Sequence, residues 1–184
     1  MKEIIFYGRG GQGAVTASKW FVLAALFEDK YAHAIPSFGQ ERKGAPVFTH
    51  ARIDKDPVST KSFVYQPDCA VVFDHHLPDI GVDYSQGIKG EKILVLNIPE
   101  GDIKEPGNSF LSAGYVDATS LTREILGPYP ANAAMLGALA ATTGWISIES
   151  VCRALEKSIS GRRGMLNVRA AKEAYERTAV KRSE

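Results

Sequence analysis

A cluster of glycines near the start of the chain has the residue types and spacing of an anion-binding turn. It follows the apolar run 4–7 and precedes a long apolar segment, which predicts a strand, a tight turn and a helix. The backbone N–H groups of such a turn and the partial positive charge of the helix N-terminus favour a phosphate or another anion. A side chain at Gly11 is expected to fill the turn. The candidate residues are Arg9, Gly10, Gly11, Gln12 and Gly13, and the alternative is a structural turn at a subunit contact.

Two nucleotide-binding motifs are each half complete in this segment. The glycine spacing fits G-x-G-x-x-G, but a dinucleotide site also needs an Asp or Glu after the second strand, where this chain has Pro36. The spacing also fits the first half of a P-loop, but Ala14 and Val15 stand where Lys and Ser or Thr are required. Both omissions argue against a site for NAD, FAD or a nucleoside triphosphate.

A second segment, 36–46, combines an aromatic side chain with charges of both signs. In a doubly wound sheet the loops after the first two strands leave the same carboxyl edge, where ligands and partners dock. Glu41 beside Arg42 and Lys43 suits a partner chain better than a purely anionic ligand, and a solvated connector is the alternative. The candidate partner interface consists of Ser37, Phe38, Gly39, Glu41, Arg42 and Lys43.

The remaining chemically capable side chains do not form a recognisable site. His75 and His76 are expected to point apart on extended backbone without a third ligand, so no metal site is predicted. Asp74, at the end of a predicted strand, is a better candidate for a polar site residue. The alternative is that its carboxylate only caps the following loop. Cys69 and Cys152 are expected to be inert core thiols, and two cysteines cannot supply the four thiolates of a cubane cluster. No residue is nominated as catalytic.

The elements that position these residues alternate along the chain. The sequence predicts strands at 2–7, 31–35, 46–53, 69–74, 92–98 and 113–117, and helices at 13–28, 119–126, 131–143, 147–159 and 167–181. This order predicts an α/β fold: a Rossmann-like, doubly wound, mostly parallel sheet with helices on both faces and a helical C-terminal third. Strand 46–53 alternates between apolar and polar residues, so it is expected to be an edge strand or an antiparallel strand. The basic turn 161–164 is expected to be a solvated loop. Small residues on helix 131–143 predict close packing in a core or an interface, with Asn132 making local hydrogen bonds at its start.

Composition indicates an ordinary soluble protein. A length of 184 residues predicts one domain, 1–184, and 45% hydrophobic and 23% charged residues are typical of a globular chain. A net charge of +1 gives no general reason to expect nucleic acid or an anionic membrane as partner. With no segment that resembles a signal peptide or a membrane span, a cytoplasmic location is expected.

These segments together resemble the gamma subunits of the 2-oxoacid:ferredoxin oxidoreductases, closest to the pyruvate (pyruvate synthase) type. The resemblance runs through the whole chain in order, and it is carried by residues 8–13, 37–47, 132–139 and the closing helix from Asn167. Lys43 stands where the family more often has a second Arg, which keeps the charge.

The resemblance implies a subunit of an assembly that oxidatively decarboxylates pyruvate or a related 2-oxoacid to acyl-CoA and CO2 and reduces ferredoxin. Alpha, beta and ferredoxin-like delta subunits are then the partners. They would carry thiamine diphosphate, Mg and the iron–sulfur clusters, whereas this chain alone would bind no cofactor. In agreement, Gly101-Asp102-Ile103 and a lone Asn132 do not complete a thiamine diphosphate motif.

In this interpretation the chain is structural, and the phosphates of the co-substrate CoA are one candidate ligand of its glycine loop, with another anion or a purely structural turn as the alternatives. A stand-alone nucleotide- or coenzyme-binding Rossmann-like oxidoreductase is one alternative. A non-catalytic interaction module of another complex is the other.

Overall fold

The computed structural model describes residues 1–38, 44–103 and 109–182, and a seven-stranded sheet runs through these ranges. The strands are β1 (Lys2–Arg9), β2 (Tyr31–Phe38), β3 (Pro46–Asp54), β4 (Cys69–Val72), β5 (Ile93–Asn97), β6 (Ser112–Val116) and β7 (Ala179–Arg182). Their spatial order is β2-β3-β1-β4-β5-β6-β7. β1, β4, β5 and β6 are parallel, and β2, β3 and β7 extend this parallel centre with antiparallel pairs. The predicted α/β class is therefore confirmed.

The helices pack against one face of this sheet. They are α1 (Ala14–Leu26), α2 (Ala118–Leu126), α3 (Asn132–Thr143), α4 (Ile148–Ser158) and α5 (Gly161–Arg177). Each contributes buried residues to the same apolar core, which also holds Ile4 and Phe6 of β1. None of these helices, within the described ranges, combines the length and the apolar character that a membrane crossing requires.

The other face of the sheet has a separate apolar core with a different cover. Ile5 and Tyr7 point into it, and Val64, Leu77 and Phe110 pack there from loops and from the 3-10 helix Leu77–Ile80. The prediction of α-helices on both faces is corrected in this respect, since the described α-helices share one face. One proline and three glycines interrupt the connection between β4 and β5 and favour short turns over a long helix.

The C-terminal region also differs from the prediction. α5 begins at Gly161, so the basic turn 161–164 is the first turn of a helix and not a solvated loop. Asn167 lies inside that helix, where its Nδ2 donates to the Arg163 carbonyl oxygen at 2.8 Å. The helix ends at Arg177 and β7 follows, antiparallel to β6. A strand of four residues is too short for its periodicity to be recognised in sequence.

β3 is antiparallel, as its alternation predicts, but it is an inner strand. It pairs with β1 on one side and with β2 on the other, so β2 is the edge strand. β2 continues through Pro36 to Phe38, beyond its predicted end. An edge strand tolerates a proline because one side of its backbone needs no N–H donor.

α3 and α5 approach each other very closely. A Cβ atom added to Gly137 on α3 would lie 2.0 Å from the carbonyl oxygen of Ala171 on α5. Ala133, Ala134 and Ala138 of α3 are also buried. The small residues of this helix therefore belong to the core, one of the two predicted alternatives.

We expect Gly137→Ala to lower the free energy of unfolding by about 3 kcal/mol, because the added methyl group must push two packed helix backbones apart. Urea unfolding followed by circular dichroism measures the change. Gly101→Ala is the matched control, since a Cβ there meets no heavy atom within 4 Å. Equal stabilities of the two variants would contradict the close approach.

Candidate functional site

The glycine segment forms the predicted turn between β1 and α1. Gly11 and Gly13 have φ angles of +95° and +85°, in the left-handed region. The Gln12 N–H donates to the Arg9 carbonyl oxygen at 3.0 Å and closes the turn. The Gly10 N–H donates at 3.0 Å to the carbonyl oxygen of Ala45, at the end of the second candidate segment.

The two left-handed glycines are constrained in different ways. A Cβ on Gly11 would meet no heavy atom within 4 Å, so the expectation that a side chain fills the turn is wrong. Glycine is favoured at that position by its φ angle alone. A Cβ on Gly13 would lie 2.8 Å from Nδ2 of Asn132, so the Asn132 carboxamide lies directly against the end of the turn.

Asp74, two residues after the end of β4, organises the turn. Its Oδ2 lies 2.8 Å from Nε of Arg9 and accepts a hydrogen bond from Nε2 of Gln12 at 3.0 Å. Its Oδ1 accepts from the His76 N–H at 2.9 Å. The Gln12 side chain closes the network, because its Oε1 accepts from the Arg9 N–H at 2.7 Å. Asp74 therefore both caps its own loop and fixes the glycine turn.

The charges of this network balance each other. Burial alone would raise the pKa of Asp74, but the hydrogen bonds from His76 and Gln12 and the nearby charge of Arg9 together lower that pKa below its usual value. The Arg9 Nε makes no aligned hydrogen bond, so the 2.8 Å contact is an ion pair held by charge. The Arg9 Nη2 donates to the His76 carbonyl oxygen at 3.3 Å. Arg9 is thus committed to groups of its own chain.

The histidine pair does not have the predicted geometry. His75 and His76 lie in a turn, and their rings are 4.0 Å apart between centroids instead of pointing apart. The His76 Nδ1 lies 3.0 Å from Oδ2 of Asp79. Across residues 1–38, 44–103 and 109–182, no three His, Cys, Asp or Glu side chains form a group that could hold a metal ion.

Both cysteines are buried free thiols, as predicted. Burial raises the pKa of Cys69 and of Cys152 above the ordinary thiol value, which disfavours the reactive thiolate. Cys69 lies on β4 and Cys152 on α4, so the two thiols belong to different elements of the fold.

A cavity of about 770 Å³ lies beside the glycine turn. Arg9, Gly10, Gly11 and Gly13 line one side, and the connection from α2 to α3 and the start of α5 line the other. Gln12 is the one candidate residue of the turn that does not border this space, because its side chain is bonded to Asp74. The structure thus places the turn against a space large enough for a small ligand.

The far side of this cavity holds functional candidates that sequence reasoning missed. They are Tyr129, Asn132, Arg163 and Asn167. The Arg163 guanidinium lies 5.1 Å from the centroid of the Tyr129 ring. Their positions along the sequence give no sign of this cluster, because it forms only when α3 packs against α5.

The second candidate segment begins beside the glycine turn. The backbones of Ser37 and Phe38 pair with β3 at Phe48 and Val47, and Val47 pairs in turn with Gly8. The two sequence segments therefore meet at one edge, as predicted. Gly39, Glu41, Arg42 and Lys43 lie outside the described residues.

Comparison with known proteins identifies the family. The sequence profile of the pyruvate ferredoxin/flavodoxin oxidoreductase family matches residues 3–177. The chain belongs to this family.

Named relatives and solved structures agree with the assignment. The chain is 44% identical over 183 residues to the pyruvate/ketoisovalerate oxidoreductases common subunit gamma of Pyrococcus furiosus, with 98% of each chain covered. It is 43% identical over 176 residues to the pyruvate synthase subunit PorC of Methanothermobacter thermautotrophicus, covering 96% of this chain and 95% of the relative. The crystal structure of pyruvate oxidoreductase subunit PORC from Thermotoga maritima superposes with a TM-score of 0.82 at 32% identity, covering 97% of both chains. The resemblance carried by the sequence segments is therefore confirmed.

The two left-handed glycines of this family member should differ in their tolerance of a methyl group. We expect Gly11→Ala to cost about 1 kcal/mol of unfolding free energy, from backbone strain alone. Gly13→Ala should cost about 3 kcal/mol, because it adds a clash with Asn132 to the same strain. Chemical denaturation measures both, and the same loss in the two variants would contradict the contact between Gly13 and Asn132.

The Asp74 network gives stability a pH dependence. Because the pKa of Asp74 is lowered in the folded chain, its contribution is present above the ordinary carboxyl value of 3.8 and is lost as the pH falls below it. We expect Asp74→Asn to lower the free energy of unfolding by about 1 kcal/mol at pH 7, a value discounted for partial solvent screening.

The difference between wild type and Asp74→Asn should shrink in unfolding experiments below the ordinary carboxyl pKa. Asp56→Asn, at an exposed position, is the control and should follow the wild type at all pH values. A constant difference between wild type and Asp74→Asn from neutral to acid pH would count against the ionised role of Asp74.

Proposed function

We propose that this chain is the gamma subunit of a cytoplasmic, multi-subunit 2-oxoacid:ferredoxin oxidoreductase that converts pyruvate, or a related 2-oxoacid, to acyl-CoA and CO2. The observation that carries the proposal is the match over nearly the full length to relatives named as gamma or PorC subunits. The whole chain, 1–184, acts as one domain in this proposal. Supporting this, β7, the last described strand, pairs with β6 of the same sheet.

The reaction chemistry belongs to other subunits. Alpha, beta and ferredoxin-like delta subunits would carry thiamine diphosphate with Mg and the iron–sulfur clusters, and ferredoxin would accept the electrons. Two separate, buried cysteines support this division, since a cubane cluster takes four thiolates. This chain would bind no cofactor alone, and none of its residues is assigned a catalytic role.

The glycine turn would contact CoA, the co-substrate of the assembly. Support comes from the left-handed glycines and from the N-terminus of α1, which has no acidic residue in its first turn. Because Asp74 already balances Arg9, the backbone of Gly10 to Gly13 is the better contact for a phosphate. Arg9 and Gln12 then hold the turn in shape.

The segment with Ser37, Phe38, Gly39, Glu41, Arg42 and Lys43 would dock on a partner subunit. The support is the position of the segment beside the glycine turn. The segment begins at the end of β2, and near its other end the Ala45 carbonyl oxygen accepts a hydrogen bond from the Gly10 N–H. Its charges of both signs suit a complementary protein surface.

Anaerobic purification of the tagged chain from its source cells tests the proposal. We expect thiamine-binding and cluster-bearing chains to co-purify, and the preparation to reduce a dye with pyruvate only when CoA is present. The double variant Arg42→Glu and Lys43→Glu should lose these partners through charge repulsion. A double variant with the same charge change at Lys55 and Lys61, exposed positions elsewhere, should keep them.

Two outcomes would contradict the proposal. Recovery without such chains, together with no 2-oxoacid oxidation, would favour an interaction module of another complex. Saturable binding of NAD(P) or FAD by the purified chain, with no partner chains, would favour a stand-alone oxidoreductase.

A further inference from the structure

Residues 55–68, the connection between β3 and β4, form a strap across the sheet face that carries no described α-helix. The strap contains no helix or strand, and most of its side chains are exposed. Val64 is an exception, since it is buried in the apolar core of this face. Near the end of the strap the Asp68 N–H donates to the Glu3 carbonyl oxygen at 2.8 Å. The strap is therefore docked on the sheet, although it has no secondary structure of its own.

Polar side chains of three neighbouring strands form a row on the face that the strap covers. His33 on β2 lies opposite Arg52 on β3, and Arg52 lies opposite Glu3 on β1. Residues that lie directly opposite each other in antiparallel strands share a face of the sheet. His50 lies two residues before Arg52 on β3 and shares that face as well. The row thus brings two histidines, an arginine and a glutamate to one covered surface.

Arg52 anchors the strap at every pH, because a guanidinium keeps its proton in proteins. Arg52 is buried, and its Nη1 and Nη2 donate to the carbonyl oxygens of Ser62 and Phe63 at 2.6 and 3.2 Å. Its Nε donates to Oε1 of Glu3 at 2.8 Å. The Nζ of Lys89 lies 3.6 Å from Oε2 of Glu3. Both oxygens of this carboxylate therefore already face cations and do not balance the charge of a protonated histidine.

His50 is a second anchor, and its contact depends on its protonation state. The Val64 N–H donates to Nδ1 of His50 at 3.2 Å, and the Val64 carbonyl oxygen lies 3.1 Å from the same nitrogen. The ring of His50 also lies against the ring of Phe63, with 4.7 Å between centroids. A neutral imidazole accepts through Nδ1, whereas an imidazolium only donates and leaves the Val64 N–H without its acceptor. Protonation of His50 therefore removes a hydrogen bond that holds the strap.

His33 resists protonation for a different reason. Its Nε2 is buried and has no hydrogen-bond partner within the described ranges. Burial, and after it the charges of Arg52 and Lys61, lower the pKa of His33. Burial also lowers the pKa of His50, where the Val64 carbonyl opposes the shift and the charge of Arg52 adds to it. The docked strap thus favours the neutral form of both rings.

We propose that the strap 55–68 is a pH-sensitive latch, docked while His33 and His50 are neutral and released when both rings take up protons in mild acid. Both pKa values are lowered in the docked state, so docking is complete above the ordinary histidine value of 6.5 and weakens as the pH falls below it. Release uncovers Val64 and Arg52, while the strands beneath them stay paired.

NMR on the isotopically labelled full chain at pH 7 and pH 5 tests the latch. Protection of the Val64 amide against hydrogen exchange, corrected for the intrinsic rate, should fall about tenfold, because the docked state excludes protons that the released state binds. The nuclear Overhauser contact between the rings of His50 and Phe63 should weaken over the same range. The amide of Val95, in the middle of β5, should keep its protection.

The double variant His33→Gln and His50→Gln replaces both rings with carboxamides, which accept hydrogen bonds but do not titrate. Its Val64 protection should differ by less than about twofold between pH 7 and pH 5. The double variant His75→Gln and His76→Gln is the matched control. It makes the same change in the connection after β4 and should keep the difference of the wild type.

Three results would overturn the inference. The first is equal protection of Val64 at both pH values in the wild type. The second is a wild-type loss that persists in the variant of His33 and His50, a comparison that a weaker strap at pH 7 does not affect because each variant is compared with itself. The third is a parallel loss at Val95, which would mean that acid opens the whole sheet and not the strap.

Discussion

The carboxylate of Asp74 is the constraint on which the geometry of the site depends. It lies two residues after β4, whereas the groups that it holds, Arg9 and Gln12, belong to the end of β1 and the turn that follows. β1 and β4 are parallel neighbours, so their carboxyl ends lie side by side and a short side chain can join the two loops. Without this link the left-handed turn would depend on the hydrogen bonds between Arg9 and Gln12 and between Gly10 and Ala45. With it, the position of the α1 N-terminus is fixed relative to the sheet.

The one-sided packing of the helices follows from how the chain connects its strands. α1 follows β1, the helices α2 to α5 follow β6, and described residues of the connections between β4 and β6 pack on the other face. Three helices then begin at one place beside the sheet edge where β1 ends. Close packing of α3 against α5 at Gly137 keeps two of these N-termini together. A fold with helices on both faces would have separated them.

Features carried by local sequence were predictable, and features made by packing were not. The strand, the glycine turn and α1 follow from local periodicity and from residues with special backbone freedom. The buried strands β4 and β5 are recognisable as apolar runs, but such runs do not say what covers each face. That ambiguity explains the incorrect expectation of α-helices on both faces. The prediction of a solvated loop at 161–164 missed the true start of α5, and with it the position of Arg163 at the cavity.

Two arginines of the same cavity illustrate why residue type alone does not define an anion site. Arg9 adjoins the most suggestive motif of the sequence, yet its charge is balanced by Asp74 and its donors turn toward its own chain. Arg163 lies in a segment that resembles an ordinary basic loop, yet it faces the cavity without a carboxylate partner in the described part of the chain. An arginine paired with a carboxylate stabilises the conformation of its loop, but its charge is neutralised. An arginine without a carboxylate partner still attracts an anion. Of the two arginines, the one that adjoins the motif is therefore committed to its own chain, and the one on the opposite wall of the cavity contacts the ring of Tyr129.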